Sequence, residues 1–444
     1  MRVSSIEPSH VAKGTAYVTV RRYMWDDFTP YVFETTDFGQ HWTSITNGVP
    51  SDQYAFVIRQ DPNEPDLLFL GTRSTVYVSP DGGGRWQPLG LNLPPVQVRD
   101  IAIDTRQGDL VIATHGRAFW VLDDLALLEQ LARAPAPAAD QAVVFAPQRA
   151  WLSHAYGMPT NPREARGSGK NPPFGATVFF QIPAGYDGTT PVALTFADST
   201  GRTIRRFDLH LKSSQPTPTA AQEERKSPME QKRDRERALT AIVPGMNRFQ
   251  WNLRSSDATE VTGFRPPIAA GGLPDEVDGP VVVPGSYQVT LSYGGDESVQ
   301  RFDVGLDPRI HASQNDLDAR LALQRRIHTT LDSLDRTINR AIAVRDSLEQ
   351  GRDRDNDGAA RTHAAVAALD SAIDALVQLD NHSSEGTLLH ETKLRSHLAY
   401  LAADIDLAYA APTPAQAAVC DELQREAVAG EAALRAAMRK AGVR

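Results

Sequence analysis

Over its first 125 residues the chain alternates apolar and polar positions in short runs that are broken by Gly, Pro, Asn and Asp. "VSSIEPS" (3–9), "GTAYVTV" (14–20), "PYVFETTD" (30–37) and "HWTSIT" (41–46) form a first group. "YAFVIRQDP" (54–62), "DLLFLGT" (66–72), "TVYVSPD" (75–81) and "WQPLG" (86–90) form a second, and "VRDIAID" (98–104), "GDLVIAT" (108–114) and "RAFWVLDD" (117–124) a third. Period-two alternation between turn formers predicts β-strands. Strand groups that recur every 40 to 50 residues or so predict the blades of a β-propeller. The third group lacks a counterpart of "WQPLG", so residues 1–125 read as a partial β-propeller of three blades.

Residues 126–170, with "ARAPAPAAD" (132–140), read as a Pro/Ala linker. From Phe174 to about Asp307 the alternation returns in "ATVFFQI", "VALTFAD", "IRRFDLHL", "NRFQWNL", "GSYQVTLSY" and "QRFDVGL". An immunoglobulin-like β-sandwich over 171–308 is expected. The Pro- and charge-rich run at 213–237 is expected to be a disordered hairpin tip. After "DPRI" (307–310) the period changes to three-four spacing, as in Ile327, Leu331, Leu334 and Ile338. Three or four amphipathic helices follow over 309–444, most simply as an antiparallel helical bundle, with Pro412 and Pro414 marking the last start. The fold class is therefore multidomain, mainly β and then α.

Two turns share a more specific pattern. "TTDFGQHW" (35–42) and "SPDGGGRW" (79–86) both read Ser/Thr-x-Asp-x-Gly-x-x-Trp. Asp37 and Asp81 suit the acceptor role in an Asx-type turn, and Gly39 and Gly83 permit positive φ. Trp42 and Trp86 are expected to pack between blades. These residues read as fold markers. No phosphate loop fits, because no Gly-Lys-Ser/Thr and no helix follow.

These motifs resemble the Asp-box, or bacterial neuraminidase (BNR) repeat, of sialidases, some glucanases and the sortilin ectodomain. Together with "LLFLGT", "LVIATHGRAFWVLDDL", "NPPFGATVFFQIP" and "PGMNRFQWNLR", the series resembles large bacterial proteins described as sortilin-like or glycosyl-hydrolase-like repeat proteins. The resemblance implies an extracytoplasmic or secreted protein. It carries no catalytic residue over, since no position here matches a sialidase's arginine triad or nucleophile.

Composition narrows the chemistry. The formal net charge is −9, and no clustered basic face marks a nucleic-acid partner. A single cysteine, Cys420, excludes an internal disulfide. No apolar run reaches membrane-spanning length, and the N-terminus lacks a signal-peptide core. "DRDNDG" (353–358) begins like a calcium loop, but Ala364 stands where the closing Glu belongs. "HETKLRSH" (390–397) has Leu394 in place of the second zinc histidine, and "GSGK" (167–170) lacks the upstream glycine of a phosphate loop. No metal and no cofactor is expected.

One rim remains as a candidate. The loops between second and third strands open opposite the Asp-box turns, and the first blade's loop, "RRYMWDDFTP" (21–30), is the longest. Arg21, Arg22, Trp25, Asp26 and Asp27 are expected there beside Arg73, His115 and Arg117, as a site for a glycan or polypeptide. The leading expectation is a non-catalytic or catalytically incomplete binding module of a longer exported bacterial protein, with N-terminal blades outside this sequence. The alternatives are a glycoside hydrolase whose site is shared with those blades and a sortilin-like peptide receptor.

Overall fold

The computed structural model describes residues 1–134, 136–153, 172–212, 228–265, 278–351, 359–381 and 390–442. The motifs at 167–170 and 353–358 lie outside the described residues.

Three antiparallel meanders come first. β1 (Arg2–Pro8), β2 (Ala16–Arg22), β3 (Asp27–Thr35) and β4 (Thr43–Ser44) pair in chain order. So do β5 (Ala55–Gln60), β6 (Leu68–Thr72), β7 (Val76–Ser79) and β8 (Gln87–Pro88), then β9 (Val98–Asp104), β10 (Asp109–Thr114) and β11 (Phe119–Leu122). The middle sheet is covered on both faces, and every residue of β6 is buried. Ile58, Leu68, Leu70 and Trp86 pack with Tyr17, Val32 and Ile45 of the first sheet. Val57, Phe69 and Val78 pack with Val98, Ile101 and Ile112 of the third. Gly71 is required by this squeeze, since a Cβ there would meet Val57 Cγ1 at 2.6 Å and Val98 Cγ1 at 2.8 Å. The stack is propeller-like. Its two ends are not covered: Val3 and Ile6 are exposed at one, Phe119 and Val121 at the other.

The segment 126–170, expected as a linker, carries elements of its own where described. Helix α1 (Ala126–Arg133) lays Leu128 and Ala132 onto the third sheet's core beside Leu125, and β12 (Val143–Val144) and β13 (Ala150–Leu152) join the next β-layer. Asp124 holds the corner. It sits at φ 66°, its N–H donates to Asp109 Oδ1, and its Oδ1 accepts the Ala126 N–H at 3.2 Å. Burial pushes its carboxyl up to about 6. A raised acid favours the protonated fold, so its contribution is present below the unfolded value near 4 and is lost as pH rises through about 6. Asp124→Asn keeps the left-handed backbone and the acceptor. It is expected to remove about 1–3 kcal/mol of stability change between pH 4 and 6, measured by urea unfolding across that range.

Two further sheets face each other. One is ordered β12-β14-β18 and the other β13-β20-β19-β15-β16-β17, with β14 (Ala176–Ile182), β15 (Val192–Asp198), β16 (Thr203–Leu211), β17 (Ala241–Ile242), β18 (Gly245–Trp251), β19 (Gly285–Tyr293) and β20 (Asp296–Leu306). Trp251 stacks on Phe196 at 4.4 Å in the centre of their shared core. The edge pairs β13–β20 and β16–β17 are parallel. Of the charged run at 213–237, expected as a disordered hairpin tip, residues 213–227 lie outside the described residues, and the rest is helical. Within it begins helix α2 (Pro228–Leu239), which leads into a parallel edge strand. Its Glu, Gln, Lys and Arg residues are good helix formers, and a proline opens it.

Four helices follow among the described residues: α3 (Gln314–Gly351), α4 (Ala359–Asp374), α5 (Leu394–Asp406) and α6 (Pro414–Lys440). Thr413 caps α6 through a reciprocal bond with Gln416, with Pro414 in the first turn. The four share one apolar core. The return from α3 is antiparallel: Arg345 meets Asp370, Arg395 meets Asp335 and Arg320 meets Asp406. Leu376 O accepts the Arg395 N–H, so α4 and α5 follow end to end as one broken helix. The antiparallel pairing extends to α6 against the α4–α5 return, with Gln416 Nε2 on Asp404 Oδ2 at 2.7 Å and Gly430 against Leu376. Helix α6 therefore runs parallel to α3, with Arg326 on Asp421 and Ser333 on Glu431, because the broken return restores the starting direction.

A strap from the sandwich lies along α3. Thr259 N donates to Asp332 Oδ1 and Thr262 N to Asn339 Oδ1, while Ala258, Val261 and Phe264 enter the helical core.

Candidate functional site

The two patterned turns have the same internal bonding. In the first, Thr35 Oγ1 donates to Asp37 Oδ1 at 3.0 Å and accepts the Gly39 N–H at 2.9 Å. In the second, Ser79 Oγ donates to Asp81 Oδ1 at 2.6 Å and accepts the Gly83 N–H at 2.9 Å. Each carboxylate also takes the N–H four residues on, from His41 and Arg85. The His41 N–H and imidazole hold the Asp37 carboxyl down at about 2. At Asp81 burial pulls upward, but bonds from Ser79 and Arg85 outweigh it and leave the carboxyl below its ordinary range. Gly39 and Gly83 sit at φ +86° and +94°.

The tryptophans differ. Trp86 is 2% exposed and its Nε1–H donates to Ile45 O of the first sheet at 2.6 Å, while Trp42 is 44% exposed. The expectation that both pack between blades is therefore corrected for Trp42, which has no sheet before it in this chain.

On the opposite rim, Arg73, His115 and Arg117 line one cavity of about 410 Å³ with Ser74, Val96 and Gln97. Its walls are tied across sheets. Val96 N donates to Ser74 O, and His115 N donates to Gln97 O. The loop carrying His115 and Arg117 is held by Thr114, whose hydroxyl donates to Ala118 O at 2.6 Å and accepts the Arg117 N–H. Trp120 Nε1–H closes it onto Arg117 O at 3.0 Å. These bonds spend the loop's backbone groups and leave the side chains of His115 and Arg117 exposed.

The first sheet's loop reaches this cavity by other residues than those expected. Arg22 is paired with Asp27 at 3.2 Å, and Asp27 also accepts Tyr31 Oη and Thr29 N. Trp25 and Asp26 lie on the exposed 3-10 turn (Tyr23–Trp25) and its left-handed cap. None of these four lines the cavity. Tyr23 and Phe28 instead pack on Tyr54 at 4.7 and 5.9 Å, and Arg73 lies over Phe28 at 5.5 Å. Tyr54 Oη accepts from Gln97 Nε2 at 3.3 Å, which carries the contact to the cavity wall. Arg21 and Arg99 flank the same strip over Phe56 at 5.2 and 4.3 Å. Gln97 and Val96 come from the connection between second and third sheets, which opens on the same rim as the loops between second and third strands. That geometry was the available signal for them.

No protein-family profile matches the chain. No curated protein sequence does either. Among solved structures, an ancestral GH74 enzyme is similar at 17% identity, over 26% of this chain and 14% of that one, with a TM-score of 0.22. A GH74 enzyme of Niastella koreensis is similar at 11% identity, over 71% and 40%, with a TM-score of 0.23. The GH74 xyloglucanase of Xanthomonas campestris is similar at 14% identity, over 71% and 39%, with a TM-score of 0.22. The chain thus spans well under half the length of each. Among the described residues no helix is long and apolar enough to cross a membrane.

Proposed function

We propose that this chain is a catalytically incomplete, carbohydrate-binding part of a longer exported protein, and that its three sheets are Asp-box blades of a larger propeller. The observation that carries the reading is the lining of the rim cavity. It offers guanidinium, imidazole, carboxamide and hydroxyl groups, and no carboxylate among its lining residues. Asp52 pairs with Arg73 at 3.8 Å from outside that lining. Glycoside hydrolysis needs two carboxylates, or a tyrosine nucleophile, about the scissile bond. Hydrogen-bonding groups alone can hold a sugar without cleaving it.

The uncovered ends support further blades. Trp42 has the sequence position of Trp86 without the neighbouring sheet that buries Trp86, and apolar side chains are exposed at both ends of the stack. Unpaired apolar sheet faces drive association. On this reading Asp37, Gly39, Asp81 and Gly83 serve their own turns. Export is what the sequence resemblance implies.

The test is calorimetric titration of the full chain against neutral and acidic oligosaccharides, with unstructured peptides as a second set and reducing-end release followed in parallel. Binding without release is expected. Arg117→Ala should weaken binding about tenfold or more, the scale for one hydrogen bond from a charged group. Release of reducing ends by this chain would favour the hydrolase reading. Binding to peptides alone would favour the receptor.

A further inference from the structure

A second cavity, of about 90 Å³, lies where the sandwich meets the helices. Arg254 and Pro280 line it from the β side, and Gln324, His328, Leu331 and Asp406 from the helices. It is independent of the rim and of the carbohydrate reading.

Its polar wall has two acceptors with nothing to accept. Gln324 is buried and donates from Nε2 to Asp406 Oδ1 at 3.0 Å. Its Oε1 is buried without a partner among the described residues. His328 sits one turn further along α3, on the same helix face. Its ring is bonded to the Ser256 backbone, and its Nε2 is likewise buried without a partner. Ser256 offers a carbonyl, which assigns the proton to Nδ1 and leaves a lone pair on Nε2. Buried acceptors in folded proteins are paired with protein or with an ordered small molecule. A volume of about 90 Å³ is room for several waters or for one small organic molecule.

The charges select among occupants. Asp406 is already engaged by Arg254, by Arg320 at 2.7 Å and by Gln324. An ammonium ion entering here would meet two guanidinium groups, and an anion would meet two lone pairs together with Asp406 and Asp278. A neutral hydroxyl-bearing molecule meets neither objection. Its O–H groups donate to Gln324 and His328, and its carbons rest on Ile327 and Leu331. We propose that this junction cavity is a binding site for a small neutral polyol, held by Gln324 Oε1 and His328 Nε2. Burial lowers the His328 pKa, which keeps the ring neutral as an acceptor must be.

The probes are ethylene glycol and glycerol, titrated into the full chain labelled with ¹⁵N-histidine. His328→Phe identifies the His328 Nε2 resonance by its disappearance. A saturable shift of that resonance is expected, and Gln324→Met should weaken the apparent affinity at least tenfold while the resonance itself remains. If His328→Phe fails to fold, the resonance is found by its contact with Ser256. If Gln324→Met fails to fold, saturation in the unmodified chain decides. A response that is absent, or linear in probe concentration, means that water alone fills the cavity and overturns the proposal. So does a saturable response that Gln324→Met leaves unchanged.

Discussion

Asp335→Ala is expected to destabilise the helical region by about 3–5 kcal/mol, the scale for breaking a buried ion pair. Asp335 is fully buried, and Arg395 Nε lies 3.3 Å from its Oδ2 with the residue 2% exposed. The guanidinium also lies over the Phe264 ring at 4.3 Å. Removing the carboxylate takes an opposite charge away from a guanidinium that is itself buried. Thermal unfolding should fall by roughly 10 °C for a unit of this size. The loss should persist in high salt, because a buried pair is poorly screened. Joint replacement by Asp335→Leu and Arg395→Met should recover much of it, since apolar pairs of similar volume often match a buried ion pair. A cost under about 1 kcal/mol for Asp335→Ala would mean that the pair is hydrated.

The second large effect separates two residues that share one motif position. Trp86→Ala should cost about 3–5 kcal/mol, since it empties the space between two sheets and deletes the bond to Ile45 O. Trp42→Ala should cost under about 1 kcal/mol, because the side chain is 44% exposed. Denaturant unfolding of both variants measures the difference. In a longer chain that supplies a preceding sheet, the Trp42 cost should rise toward that of Trp86. Equal costs in the present chain would show that Trp42 already has a partner, and the larger propeller would lose its main support.

What the sequence made legible follows from how local each signal is. The three meanders could be read because Gly, Pro, Asn and Asp mark most turns and period-two alternation survives in strands as short as Val76–Ser79. The short third sheet was legible because nothing after Leu122 repeats "WQPLG". The joining of α4 and α5 into one broken return, which leaves α6 parallel to α3, was not legible, since a three-four stripe fixes a buried face but does not say where one helix hands over to the next. Helix α1 was masked by the Pro/Ala run after it, although Leu125, Leu128 and Ala132 already have helical spacing. Of the candidate site, Arg73, His115 and Arg117 were found because their loops are equivalent positions of successive repeats. Tyr54 and Gln97 were missed because their contact spans two sheets, and no local pattern records it. Arg22 and Asp27, also expected on this rim, are paired within their own hairpin and do not line the cavity.

The strap along α3 bears on how this protein can be taken apart and recombined. The hydrophobic period changes near residue 308, an inviting point at which to cut or to graft. Yet Ala258, Val261 and Phe264, from the sandwich side of that point, fill the helical core beside Leu331 and Ile338. A graft of residues 309–444 alone would carry a helical body with part of its interior left behind in the donor. The portable cassette is the sandwich with its helices, and shuffling that respects this unit would keep the core intact where a cut at the period change would open it.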